Sequence, residues 1–183
     1  MERKKKTNKK IIIGICGSIS AWKTCDLIRK LKKNGFEVKC IITEAGEKFI
    51  TPLTLQTISG NKVYKDMFEN ISEYQPEHIS LADWADLVAV VPATLTTISK
   101  IANGIADNLL VSVIMATKSP VLIAPAMNTN MWLNPVNQKN VDTLKKLGYK
   151  FIGPVTGDLI CDKKGRGHLA PIDVIYKKIL ETI

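Results

Sequence analysis

Residues 11–42 read IIIGICGSISAWKTCDLIRKLKKNGFEVKCII. The opening run, 11–15, is β-branched and apolar with no polar alternation, the pattern of a strand buried on both faces. After a turn at Gly17-Ser18, residues 19–33 place Ala21, Cys25, Ile28 and Leu31 on one helical face and Lys23, Lys30 and Lys33 elsewhere. Asn34-Gly35 ends that helix, and a second apolar run, 36–42, follows. Strand, amphipathic helix and strand make a βαβ unit, which predicts an α/β fold with a parallel central sheet covered by helices on both faces.

The same rhythm continues down the chain. Runs 87–91 and 121–124 are expected as further central strands, and 150–152 as a fifth. Helices are expected within 44–59, 97–116, 134–147 and 171–182, with Asn134-Pro135 and Pro171 as start signals. Stretches 64–78, 125–133 and 153–170 show no sustained period and are expected to be irregular.

The chain has 183 residues, of which 45% are hydrophobic and 23% charged. That supports one compact domain and excludes a disordered, collagen-like or disulfide-dense chain. The formal charge is +9, from 26 basic and 17 acidic side chains, but residues 1–10, MERKKKTNKK, hold six of the basic ones and a single Glu. A solvated basic tail over 1–10 and a body over 11–183 of nearly ordinary charge are therefore expected. No aromatic-interleaved basic surface marks the body as a nucleic-acid module. The four cysteines, Cys16, Cys25, Cys40 and Cys161, form no C-x-x-C pair and lack histidines at zinc spacing, so no metal is expected. With no signal-like start and no apolar run of membrane-spanning length, the expected setting is the cytoplasm, with no membrane partner.

In open parallel sheets, ligands sit beyond the carboxyl ends of the strands. There the chain offers Gly14-Ile15-Cys16-Gly17-Ser18-Ile19-Ser20-Ala21, then Thr43-Glu44-Ala45, then Pro92-Ala93-Thr94-Leu95-Thr96-Thr97. Glycine, hydroxyls and a helix N-terminus suit a phosphate or flavin; the same features also build a tight strand-to-helix turn with no ligand. The G-x-x-x-x-G-K-[ST] pattern is absent and the third glycine of G-x-G-x-x-G is missing, which disfavours an NTP or ordinary dinucleotide site. Residues 125–132, Pro125-Ala126-Met127-Asn128-Thr129-Asn130-Met131-Trp132, combine an amide side chain suited to a carboxylate with apolar walls; they also read as an Asn-capped packing loop. His78 reads as a surface or capping residue or as a base. Cys161 lies in a basic, Gly-containing loop that favours a reactive thiol, whereas Cys16, Cys25 and Cys40 read as small core residues.

Taken together, these motifs resemble the homo-oligomeric flavin-containing cysteine decarboxylases over about 11–182. The most specific match is 125–132, which fits the family's P-x-M-N-x-x-M-W substrate motif at every fixed position. Supporting matches are 11–21, 43–54, His78-Ile79-Ser80-Leu81 and Gly104-Ile105-Ala106-Asp107-Asn108-Leu109-Leu110. The resemblance implies a flavodoxin-like Rossmann three-layer sandwich, assembled as trimers or dodecamers with FMN near subunit interfaces. It places FMN against Gly17, Ser18, Ile19, Ser20, Thr43, Glu44, Ala45, Thr94, Leu95, Thr96, Thr97 and Ala126. It also puts Asn128 and Met131 on the substrate, Asn128 gripping its carboxylate, and makes His78 and Cys161 the catalytic pair. Thr96 stands where the family's S-A-N-T loop has Asn, and Asp162 where it commonly has Gly beside the cysteine.

The implied substrate is a small molecule, 4′-phospho-N-pantothenoylcysteine, a coenzyme A precursor. Its carboxylate has no electron sink, so the resemblance implies oxidation at the thiol carbon first. Loss of carbon dioxide follows, and then reduction, with Cys161 as proton donor and His78 as base or electrostatic aid. Lys163, Lys164 and Arg166 beside Cys161 are expected to face the substrate's anionic groups. Two other readings stand beside this one: a decarboxylase acting on a peptide's C-terminal cysteine, and a non-catalytic flavin-binding regulator. Ending at Ile183 after its last helix, the chain is expected to be monofunctional.

Overall fold

The computed structural model describes residues 8–68, 76–158 and 164–183. Strand β1 (Lys10–Ile15) leads through a 3₁₀ turn (Ile19–Lys23) into α1 (Thr24–Lys33) and β2 (Glu37–Ile42). Next come α2 (Glu44–Glu47), α3 (Pro52–Ser59), a two-residue β3 (Val63–Tyr64), α4 (Glu77–Trp84) and β4 (Leu87–Ala93). Helices α5 (Leu95–Ala102) and α6 (Leu109–Ala116) precede β5 (Val121–Pro125), α7 (Thr129–Leu133), α8 (Pro135–Lys146) and β6 (Lys150–Phe151). A hairpin, β7 (Val155–Asp158) and β8 (Lys164–His168), and a last helix, α9 (Ile172–Thr182), complete the described chain.

Six strands pair in parallel in the order β3-β2-β1-β4-β5-β6. That is the doubly wound Rossmann order; setting aside the two-residue β3 leaves the flavodoxin order, and both reverse direction between β1 and β4. Period-two alternation divides β1 between two cores. Ile11, Ile13 and Ile15 face α1, α3 and α9 through Leu27, Leu55 and Ile175, while Ile12 faces α4, α5, α6 and α8 through Leu81, Ile98, Leu110 and Leu144. Each of these buried aliphatic side chains contributes roughly 1.5–3 kcal/mol by leaving water. The sandwich expected from the resemblance is therefore observed, because β1 must be apolar on both sides to be covered on both.

Several expected boundaries shift for local reasons. Strand β1 begins at Lys10, inside the stretch read as tail: the Lys10 N–H donates to Asp86 Oδ2 (2.8 Å), and Lys9 Nζ lies 3.6 Å from Asp86 Oδ1. The helix expected over 97–116 is two helices. Asn103 and Gly104, the latter at φ +67°, end α5, and Asn108 Oδ1 accepts from the Val111 N–H (3.1 Å) to start α6. Likewise 44–59 breaks at Thr51-Pro52, where Thr51 caps α3. The stretches read as irregular contain the end of β3, the start of α4, the short α7 and the antiparallel hairpin β7–β8. Among the described residues no helix is long and apolar enough to cross a membrane.

Candidate active site

At the reversal point, between the carboxyl ends of β1 and β4, a cleft of about 640 Å³ opens. It is lined by Gly17, Ser18 and Ile19 after β1, Thr43, Glu44 and Ala45 after β2, Thr94–Thr97 after β4, and Ala126 and Met131 after β5. Four stretches separated by up to about a hundred positions thus meet as expected.

Glycine explains why the first two stretches touch. A Cβ on Gly17 would stand 2.6 Å from the Ala45 Cβ and 2.9 Å from the Ala45 carbonyl oxygen, so only a bare Cα lets the loops after β1 and β2 close on each other. Thr43 ties the same two strand ends, its Oγ1 accepting from the Gly46 N–H (3.1 Å) and donating to the Ile15 carbonyl (3.3 Å). Ser18 Oγ accepts from the Ser20 N–H (3.3 Å), which leaves its hydroxyl hydrogen for a ligand. Ser20 is buried, 8% exposed, and does not line the cleft.

The loop after β4 is held by a buried relay. Thr97 Oγ1 donates to Cys16 Sγ (3.2 Å), so the Thr94 hydroxyl must supply the hydrogen in its 3.1 Å contact with Thr97 Oγ1. Thr94 Oγ1 in turn accepts from the Thr97 N–H (3.3 Å), capping α5. Burial pushes the Cys16 thiol up to about 11, an effect the Thr97 hydrogen bond only partly offsets, so Cys16 stays protonated. With Thr94 and Thr97 committed inward, exposed Thr96 and the first-turn amides of Leu95 and Thr96 are the donors this loop offers a ligand.

The cleft's walls are apolar and partly open. Ile19, Phe49 and Met131 are 55%, 47% and 46% exposed, a grouping at one pocket that is unusual unless a flat apolar group covers it. Across from them Lys100 Nζ meets Asp107 Oδ2 at 2.7 Å, and Asn108 Nδ2 donates to Asp107 Oδ1 (2.9 Å). The Lys100 hydrogen bond holds the Asp107 carboxyl below its usual range. Hydroxyl and amide donors together with apolar walls suit a flavin. Phe49, Asp107, Asn108 and Met127 line the cleft from within motifs that carry the resemblance although no cofactor role was expected of them, and Lys100 lines it from outside any of those motifs. The signal for two of them was present, because Asp107-Asn108 before the apolar run 109–115 is a helix start.

The substrate motif lies at the rim. Ala126 N–H donates to the Ala93 carbonyl (3.0 Å), binding this turn to β4. Asn128 is exposed; its Oδ1 accepts from the Asn130 N–H (2.8 Å) and caps α7, leaving Nδ2 as donor. Both the capping and the ligand readings of this Asn are therefore compatible. Asn128 does not itself line the cleft, although Met127 and Met131 on either side do.

His78 sits half-buried in the first turn of α4 and is not among the described residues that line the cleft. Cys161 and Lys163 lie outside the described residues, 159–163, which β7 and β8 bracket. Of the basic residues expected near substrate, Lys164 belongs to β8 and Arg166 donates through Nε to the Pro154 carbonyl (3.3 Å).

Residues 1–183 match the Flavoprotein family. The coenzyme A biosynthesis bifunctional protein CoaBC of Borreliella burgdorferi is 46% identical over 173 residues, 94% of this chain and 44% of that protein. The chain thus spans less than half the length of that relative. A probable phosphopantothenoylcysteine decarboxylase of Streptococcus mutans is 43% identical over 177 residues, 96% of this chain and 99% of its own. Among solved structures, a cysteine-to-serine PPC decarboxylase mutant complexed with pantothenoylaminoethenethiol superposes with a TM-score of 0.86 at 29% identity, covering 96% of this chain and 98% of that one.

Proposed function

Since the chain belongs to the Flavoprotein family and is a flavin-binding protein, we propose that it uses FMN to decarboxylate 4′-phospho-N-pantothenoylcysteine to 4′-phosphopantetheine in coenzyme A biosynthesis. The observation that carries this reading is the meeting of Gly17–Ile19, Thr43–Ala45, Thr94–Thr97 and the Ala126–Met131 turn around one cleft, in a chain that matches a decarboxylase relative end to end. The substrate's carboxylate lies on a carbon bearing an amide nitrogen, where direct loss of carbon dioxide leaves an unstabilised carbanion. When bound, FMN supplies the reversible two-electron oxidation that makes the neighbouring thiol carbon an electron sink and afterwards restores it.

The chain's own residues hold and orient. Ser18 Oγ and the amides at the start of α5 take the phosphate end of the cofactor, and Ile19, Phe49, Leu95 and Met131 cover its ring and exclude water. Asn128 Nδ2 donates to the substrate carboxylate, a task for which its Oδ1 is immobilised by the α7 cap. His78 assists deprotonation of the substrate thiol, as base or by charge, and Cys161 delivers the final proton to carbon. Because His78 stands apart from the cleft of its own chain, it serves the cleft of a second copy in a homo-oligomer, a trimer or dodecamer. A cytoplasmic setting agrees with the free thiols Cys16, Cys25 and Cys40.

Side-by-side turnover of 4′-phospho-N-pantothenoylcysteine and of peptides ending in cysteine tests the assignment. The expected result is release of 4′-phosphopantetheine and little attack on peptides; preference for the peptide would overturn the substrate.

A further inference from the structure

The turn that carries Asn128 is held from three sides. Its start is bonded to β4 through Ala126 and Ala93, and its end to α8, where Asn137 Nδ2 donates to the Trp132 carbonyl (3.0 Å). The third hold is the hairpin: the Met127 N–H donates to the Gly167 carbonyl in β8 (3.0 Å). This contact has no slack. A Cβ on Gly167 would stand 2.1 Å from the Met127 carbonyl oxygen and 3.3 Å from the carbonyl carbons of Met127 and Asn128. These are backbone atoms, so no change of rotamer relieves the clash, and ordinary contact returns only if the turn moves by about 1 Å, enough in a positioning site to cost about a hundredfold in rate. The facing strand differs. The atoms nearest to a Cβ on Gly157 would be those of the His168 side chain, at 3.3 Å or more.

We infer that Gly167 is a positioning residue for the substrate carboxylate: its bare Cα seats hairpin β7–β8 on Met127 and so sets where Asn128 stands beside the flavin cleft. The inference rests on the decarboxylase reading above. It makes the glycine in β8 a requirement of the neighbouring turn, since Gly167 needs no unusual backbone angle.

The test compares Gly167→Ala, Gly157→Ala, Asn128→Ala and the double variant Gly167→Ala/Asn128→Ala in the flavin-loaded full chain. Gly167→Ala is expected to keep the wild-type flavin spectrum and to lose about a hundredfold in kcat/KM. Its affinity for 4′-phosphopantetheine, which lacks the carboxylate, should be unchanged, and Gly157→Ala should behave as wild type. Because Gly167 acts through Asn128, the double variant should fall no further than Asn128→Ala alone. Losses that multiply, an equal loss of affinity for 4′-phosphopantetheine, or wild-type kinetics in Gly167→Ala would overturn the inference. If Gly167→Ala does not fold, amide exchange of the wild-type chain decides: a protected Met127 N–H supports the seating, and free exchange refutes it. Failure of the wild-type chain to turn over the substrate would count against the function, and the exchange result would then judge the seating by itself.

Discussion

Thr97 illustrates how a residue read as a ligand can act one layer deeper. Its hydroxyl is spent on Cys16 and Thr94, so it joins the loop after β1 to the start of α5 and shapes the cleft it lines. Thr97→Val leaves the buried Cys16 and the half-buried Thr94 without their partner, at about 1–3 kcal/mol in all, and should weaken FMN binding in a fluorescence titration, whereas Thr97→Ser should restore it. The buried thiols make a second prediction. With Cys16 near 11 and Cys40 near 12, roughly a thousandth or less of either is thiolate at pH 8, so iodoacetamide should leave both unmodified in the native protein. For Cys161→Ser the expected outcome is decarboxylation without the closing reduction, so that an unsaturated thiol accumulates in place of 4′-phosphopantetheine. Clean formation of 4′-phosphopantetheine would remove Cys161 from the mechanism.

Among the elements, the break between α5 and α6 matters most to the cleft. It turns the chain at Gly104 and brings Asp107 back to Lys100, with Asn108 capping α6 and steadying the same carboxylate. Asn108→Ala should cost about 1 kcal/mol in thermal or urea unfolding and loosen flavin retention. A carboxyl held below its usual range stabilises the fold above its unfolded value of about 3.9, and that stabilisation is lost as pH falls through the lower folded value. Flavin retention should therefore be flat from pH 8 to pH 5 and drop only in stronger acid, a course that flavin fluorescence follows directly. The elements divide by how readable they were. Strands β1, β2, β4 and β5 are buried on both faces and announce themselves as apolar runs, and α1 and α9 bury one clear stripe. Hairpin β7–β8 was unreadable because Gly157 and Gly167 serve close approach to their neighbours and Arg166 is exposed, so no alternation of apolar and polar residues marks the strands. The two-residue β3 is too short for any period to register, whereas β6 falls within the expected 150–152.

At the scale of the molecule, the sheet order explains why motifs scattered over the chain share one cleft, since the loops after β1 and β4 must diverge where the order reverses. Eleven of the twelve residues that the resemblance places at the cofactor line that cleft; Ser20 does not, since the 3₁₀ turn rotates it inward. His78 was legible as a motif and not as a place, because the stretch before it shows no period and the structure sets it in the first turn of α4, away from the residues that line the cleft. Among the described residues, the lysine that lines the cleft, Lys100, is paired with Asp107. Central to the account is a decarboxylation that needs no outside oxidant. Incubation of the FMN-loaded chain with carboxyl-labelled 4′-phospho-N-pantothenoylcysteine under anaerobic conditions measures it directly. The account predicts many turnovers of labelled carbon dioxide, matched one for one by 4′-phosphopantetheine, with the flavin oxidised at the end; no release of label, or release that stops after one turnover with reduced flavin, would contradict it.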